Sequence, residues 1–190
     1  MSGRLAGEGG GPHPSSPTYS MPDEVVGQYL RSAARLSLDL NVDGCIIPLD
    51  PQTGEPLLLQ TWWHRDPWRV CVTSLLLVAT RRSQVQRMLN DFYDYWPDPE
   101  TMLDASHADI AYTVIPLGLA NQRAARLQDF SRDYLEGIPV RDCHGVGPYV
   151  EAAYRLVHLK DEYCVTDDKV LIIYRSWLRS LDDDPLRWAR

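Results

Sequence analysis

Two features of the sequence carry recognisable chemistry. The first is His144-Gly145-Val146-Gly147-Pro148. Two glycines around one apolar residue let a backbone turn tightly through positive φ at no steric cost. Pro148 then stands in the favoured first position of a following helix. Such a turn offers free N–H groups and the positive end of a helix dipole, a seat for a phosphate. The same residues also make an ordinary tight connection between two packed helices. The second feature is Asp168, 21 residues beyond Gly147 and just ahead of the stripe Leu171, Tyr174, Trp177. At a helix start the dipole favours its ionised form. Beside a sugar, that carboxylate could stabilise an oxocarbenium-like centre or orient a water during glycosidic cleavage. Read locally, the same aspartate is a helix N-cap.

Other chemistry finds no support. The four cysteines (45, 71, 143, 164) form no CxxC pair, which predicts neither a zinc site nor a disulfide framework and points to reduced thiols in an intracellular compartment. No GxxxxGK[ST] loop and no GxSxG elbow occurs, and no histidine pair has metal-ligand spacing. His64, in Trp62-Trp63-His64-Arg65, either stacks on nucleic acid or packs against the next helix.

The elements that must position these groups follow from pattern. Residues 1–20 are rich in Gly, Pro and Ser and read as a disordered tail. A helix starts near Pro22-Asp23-Glu24 and shows Val25, Val26, Tyr29, Leu30, Ala33 and Ala34 on one stripe. Cys45–Leu49 and Pro56–Gln60 flank Asp50-Pro51-Gln52-Thr53-Gly54, which predicts a hairpin; a proline in each arm makes it peripheral. The remainder is helical. Asp66-Pro67-Trp68 opens a helix whose nearly continuous apolar run, Val70 to Ala79, belongs in the centre of a core. Helices follow from Val85, over 99–105, 108–115, 121–135 and 150–159, and over 170–181. No window approaches 18 consecutive apolar residues, so no membrane span is expected. The opening Met1-Ser2-Gly3-Arg4 leads into Gly and Pro, so no secretory signal is expected. The fold class is all-α with one small N-terminal β-hairpin.

Taken together and in order, these pieces resemble the helix-hairpin-helix DNA glycosylase superfamily over 66–178. They are most similar to the methyl-CpG-domain-linked thymine glycosylases. Asp66-Pro67-Trp68-Arg69 matches the first core helix, Leu75-Leu76-Leu77 with Thr80 its end, and Pro116-Leu117-Gly118-Leu119 with Arg123-Ala124 the intercalating loop. His144–Gly147 with Tyr149 and Tyr154-Arg155 match the hairpin and its helix; Asp168 with Tyr174 and Trp177-Leu178 match the acid and its helix. The resemblance implies two small helical subdomains with a cleft between them, over residues 66–190. Residues 21–65 form an extension of helix and hairpin outside the match.

The resemblance also implies roles. The target nucleotide leaves the stack at a cost of roughly a few kcal/mol, and Leu119 fills the gap as an apolar wedge. Arg123 lies near phosphates or the orphaned base. Gly145, Val146 and Gly147 grip a phosphate, with a monovalent cation on hairpin carbonyls. Arg81 and Arg82 line the pocket or the DNA groove. Asp168 acts at the sugar; counting from the hairpin would select Asp167 instead. Tyr149 stands where lyase-competent relatives carry the Schiff-base lysine, which implies base removal without strand cleavage. No cysteine follows Asp168, so no iron–sulfur cluster is expected there. Where the thymine glycosylases carry Asn-Arg, this chain has Val78-Ala79. The implied function is excision of thymine, uracil or a 5-modified uracil from duplex DNA by a monomer in the cytoplasm or nucleoid (the nucleus in a eukaryote). The alternatives are an offshoot acting on hypermodified pyrimidines such as 5-hydroxymethyluracil derivatives, and a non-catalytic DNA-binding module.

The charge refines this. The net charge is −7; residues 1–60 carry 7 acids and 3 bases, residues 61–190 carry 19 and 16. Acidity argues against a broad electrostatic footprint on nucleic acid. Binding is therefore expected to rest on a few local groups, with a small salt dependence.

Overall fold

The computed structural model describes residues 39–42 and 45–182, together with Glu24 and Gly27. The tail expected over 1–20 lies outside the described residues, as does the helix expected from Pro22 apart from Glu24 and Gly27, which are helical. In chain order the elements are β1 (Asp39–Val42), β2 (Cys45–Pro48), a 3₁₀ turn (Leu59–Trp63), α1 (Pro67–Leu77), α2 (Arg82–Tyr95), α3 (Pro99–Asp104), α4 (His107–Val114), a 3₁₀ turn (Ile115–Leu117), α5 (Ala120–Leu135), a 3₁₀ turn (Val140–Asp142), α6 (Pro148–Val157) and α7 (Lys169–Asp182).

Three helix starts come directly from side chains. Asp66 Oδ1 accepts from the Arg69 N–H at 2.9 Å ahead of Pro67, and Asp98 Oδ1 from Thr101 at 2.7 Å ahead of Pro99. Ser106 Oγ accepts from Asp109 at 3.1 Å. Each such cap stabilises its helix by about 1 kcal/mol. At the far end of α5, Gly137 takes φ +76°. There the Ile138 N–H donates to Asp133 O and the Gly137 N–H to Tyr134 O, the double closure that only a left-handed residue permits.

α1 is the central helix, as its apolar run predicts. Trp68 and every residue from Val70 to Leu76 are buried. Its polar members are paired: Trp68 Nε1 donates to Ser131 Oγ at 3.0 Å, and Thr73 Oγ1 bonds the Tyr93 hydroxyl at 2.8 Å. One side of α1 packs with Phe92, Met102 and Phe130. Val70 joins a second cluster built from α6 and α7, with Ala153, Leu156, Tyr174 and Trp177. Trp63, Tyr149 and Tyr154 pack against both clusters, so the seam between them runs past the start of α6.

The hairpin differs from the expectation. β2 pairs backwards in the chain with β1, Leu40 opposite Ile47 and Val42 opposite Cys45; the predicted forward pairing survives only as a single bridge, Leu49 to Pro56. The predicted second arm is not peripheral either. Leu57, Leu58 and Leu59 are all buried, and the chain turns into a 3₁₀ helix from Leu59. Three successive apolar residues cannot alternate between a core and solvent. They are inserted into the core instead, which carries Gln60 inside.

Candidate functional site

The hairpin is built from α5, the 3₁₀ turn after it, Cys143–Gly147 and α6. Gly145 takes φ +78°, as the spacing of the two glycines requires. Within the turn the Val146 N–H donates to Cys143 O at 3.2 Å. Asp133, at the end of α5, accepts from the His144 N–H at 2.6 Å, and its Oδ2 lies 2.7 Å from His144 Nδ1. These bonds, the backbone one foremost, hold the Asp133 carboxyl below the usual carboxylate range. A depressed folded pKa means that this tie is fully present above the unfolded carboxylate range and is lost as the pH falls through the folded value. The N–H groups of Gly145 and Gly147 make no hydrogen bond among the described residues, and they stand next to the N-terminus of α6.

Arg126, exposed on α5, lies against this turn. A Cβ added at Gly145 would collide with Cγ and Cδ of Arg126. Its stem therefore lies against Gly145, a proximity that sequence spacing did not reveal. Gly145→Ala combines that collision with a left-handed backbone. It is expected to lower folding stability by about 1–3 kcal/mol. It should also weaken binding to a duplex oligonucleotide about tenfold, as read by anisotropy.

Tyr149, one residue into α6, points into the seam. Its hydroxyl accepts from Gln60 Nε2 at 3.0 Å, and the same nitrogen donates to Ser74 Oγ at 3.1 Å on α1. Ser74 in turn donates to Val70 O at 2.8 Å. Gln60 is 0% exposed, and its Oε1 is buried with no partner among the described residues. A buried amide oxygen without a donor costs free energy. Burial pushes the Tyr149 phenol up to about 12, and the Asp168 carboxylate pushes it the same way. The phenol is therefore neutral, and a donor, at every physiological pH.

Asp168 begins α7. Its Oδ1 accepts from the N–H groups of Val170 at 3.0 Å and Leu171 at 2.9 Å. Cap and candidate acid are thus the same residue: one oxygen is held by the helix, and Oδ2 makes no hydrogen bond among the described residues. Asp167 is exposed, and it is Asp168 whose charge reaches the Tyr149 phenol.

The candidate wedge stands on a loop of unusual backbone. Gly118 has φ +75° and Leu119 has φ +51°, and the Leu119 side chain is 64% exposed. A bulky apolar residue in left-handed conformation and in solvent is strained and unpaired at once.

Arg123 is not where the resemblance implied, whereas Arg82 bonds backbone carbonyls and its charge also reaches the Tyr149 phenol, opposing that of Asp168. Arg123 is buried, with its guanidinium on the carbonyls of Gly118, Leu75, Leu76 and Val78 and on Thr80 Oγ1, so it faces neither a phosphate nor an orphaned base. Arg82 donates to Leu57 O at 2.7 Å and Pro56 O at 2.5 Å, clamping the segment that carries Gln60. Both side chains are consumed because a fork of five donors satisfies clustered carbonyls better than any other residue. Arg81 is exposed at the start of α2. His64 is buried, its Nδ1 3.2 Å from Thr61 O. Among the described residues no group of three His, Cys, Asp or Glu could hold a metal ion.

Gln60 and Arg126 were missed in the sequence. The first belongs to an extension without a matching motif, and the second lies in an ordinary helical pattern.

Comparison with known proteins bears on this arrangement. The chain is 31% identical over 143 residues to a methyl-CpG-binding domain protein 4-like protein of Arabidopsis thaliana, covering 74% of this chain and 30% of that one. It is 34% identical over 103 residues to a thymine/uracil-DNA glycosylase of Pyrobaculum aerophilum, covering 46% and 43%. The chain thus spans less than half the length of these curated relatives. Among solved structures, a thermostable thymine-DNA glycosylase superposes with a TM-score of 0.50 at 27% identity, over 53% of this chain and 51% of that one. A trapped endonuclease III–DNA covalent intermediate superposes with a TM-score of 0.52 over 84% and 78%; at 13% identity this speaks to the fold alone. Residues 72–187, the span from α1 through the hairpin and Asp168, match the description "HhH-GPD superfamily base excision DNA repair protein", and the chain belongs to that family.

Proposed function

We propose that this DNA glycosylase is monofunctional and releases thymine, uracil or a 5-modified uracil from duplex DNA, with guanine as the opposite base. The observation that carries the reading is the meeting of Asp168, Tyr149 and Gln60 at one seam beside the hairpin. The Gly145 and Gly147 N–H groups and Arg126 take a phosphate of the damaged strand, and Leu119 enters the space vacated by the flipped nucleotide. A uracil-type base offers an N3–H and two carbonyls. The Gln60 Oε1 accepts the N3–H, and the Tyr149 hydroxyl donates to a carbonyl on which negative charge grows as the C1′–N1 bond breaks. Asp168 Oδ2 stabilises the positive charge on the sugar and orients a water. The water oxygen bonds to C1′, the electron pair of the C1′–N1 bond leaves with the base, and the proton of the water ends on the base. The products are free pyrimidine and an abasic sugar.

Tyr149 provides no amine. Of the two lysines, Lys160 donates towards the Tyr174 hydroxyl at 3.5 Å and Lys169 opens α7. The reading therefore includes no Schiff base and no strand cleavage. With Arg82 and Arg123 bonded to backbone carbonyls, the phosphate contacts of this reading rest on Arg126 and uncharged N–H groups, and a shallow salt dependence follows.

The test is a panel of duplexes with single G·T, G·U and G·5-hydroxymethyluracil pairs, analysed with and without alkali and with borohydride trapping. Alkali-dependent cleavage with no trapped adduct is expected. A panel without any abasic product would leave only DNA binding, and a trapped adduct would overturn the monofunctional reading.

A further inference from the structure

Arg123 is the residue whose surroundings the proposed reaction does not use. It lies in the first turn of α5 with 7% of its surface exposed. No carboxylate among the described residues pairs with it. Its Nε donates to Gly118 O at 2.9 Å; one terminal nitrogen donates to Leu76 O at 3.2 Å and Leu75 O at 3.4 Å; the other donates to Val78 O at 3.1 Å and Thr80 Oγ1 at 2.6 Å.

These acceptors fall into two groups remote in sequence. Gly118 carries the wedge Leu119. Leu75, Leu76, Val78 and Thr80 form the end of α1 and the turn after it, where the last carbonyls of a helix lack partners and its dipole is negative. Both groups contain a strained residue, Leu119 at φ +51° and Ala79 at φ +55°, and such conformations persist only where the surroundings over-determine them. The guanidinium brackets both. α1 is also the helix whose Ser74 holds Gln60. A buried cation held by carbonyls and one hydroxyl, without a carboxylate, is costly to desolvate, and an apolar side chain would fill the same space more cheaply. We infer that Arg123 is a positioning residue that locks the wedge loop to the end of α1, so that the height of Leu119 in the duplex is set against the pocket that receives the base.

This rests on the glycosylase reading, and the experiment separates the two. In an Asp168→Asn background, a duplex with one G·U pair and a neighbouring 2-aminopurine reports base extrusion without excision. Saturation is verified by anisotropy, so the amplitude refers to bound, folded protein. Arg123→Met is expected to lower the extruded fraction about tenfold, the scale of a small misplacement. Leu119→Ala is expected to do the same, and the double variant should fall no further than the lower single one, because both act through one element. Should Arg123→Met fail to fold, Thr80→Val removes one of the five bonds at nearly constant volume and is expected to cost about threefold. Unchanged extrusion with a lowered melting temperature would show a merely structural arginine, and multiplied effects of the two changes would show that Arg123 acts independently of Leu119. Either result overturns the inference alone. No extrusion by the Asp168→Asn parent would overturn the glycosylase reading, and this inference with it.

Discussion

Asp168→Asn is expected to reduce single-turnover base release by about 10³-fold or more, the scale on which preorganised charge at a reacting centre acts, while leaving the fold and DNA binding in place. The separation is possible because of how the residue is held. Asp168 Oδ1 caps α7 through the N–H groups of Val170 and Leu171, and asparagine caps as well as aspartate does. The melting temperature should therefore move by little more than the loss of one charge at a helix N-terminus, a few tenths of a kcal/mol. What disappears is the carboxylate charge that reaches the Tyr149 phenol. Asp167→Asn, at an exposed position with no role in the cap, is the matched control and should retain full activity. Activity of the Asp168→Asn protein within tenfold of the parent would move the chemistry elsewhere in the seam.

Gln60→Leu is expected to separate stability from activity in the opposite sense. Gln60 is completely buried, its Nε2 serves Tyr149 and Ser74, and its Oε1 has no donor. Replacing it with leucine keeps much of the volume and removes the buried carbonyl oxygen. Both hydroxyls left behind can still donate, Ser74 to Val70 O as it does already. Stability should be unchanged or higher by about 1 kcal/mol, whereas base release should fall about 10²-fold. A site that carries an unpaired acceptor for its ligand is less stable than its apolar variant, the usual relation between function and stability. If Gln60→Leu loses stability and activity in proportion, the glutamine is part of the core and not of the pocket.

The placement of cations alters the meaning of the net charge of −7. Residues 61–190 are mildly acidic, with 19 acids against 16 bases. Arg82 and Arg123 are spent on backbone carbonyls, and Arg155 is paired with Asp161. Arg81 and Arg126 stay exposed. In the proposed reading, binding rests on fewer charges than the composition suggests, and on N–H groups that carry no formal charge at all.

The helices of this protein were legible in its sequence because their signals are local. Asp66-Pro67, Asp98-Pro99 and Ser106 cap the turns that they precede, Gly137 ends α5, and the unbroken apolar run of α1 has no place but the centre of the core. The hairpin glycines and the helix start at Asp168 were legible for the same reason, since backbone freedom and a cap are each written within a few residues; Leu119 was singled out by the resemblance alone. Contacts across the fold were not. Tyr149 meets Gln60 across 89 positions, and Arg123 meets the end of α1 across 43 to 48. A glutamine in an unmatched extension and an arginine on a helix show no sign of such partners, because hydrogen-bonding capacity does not specify which donor and acceptor will be brought together. The hairpin was misplaced on similar grounds. Cys45–Pro48 can pair forwards or backwards, and the choice fell to the burial of Leu57–Leu59 in the core. Local sequence marked the candidate groups; packing alone decided that Gln60 would lie against Tyr149 and Ser74 and that Arg123 would join Gly118 to the end of α1.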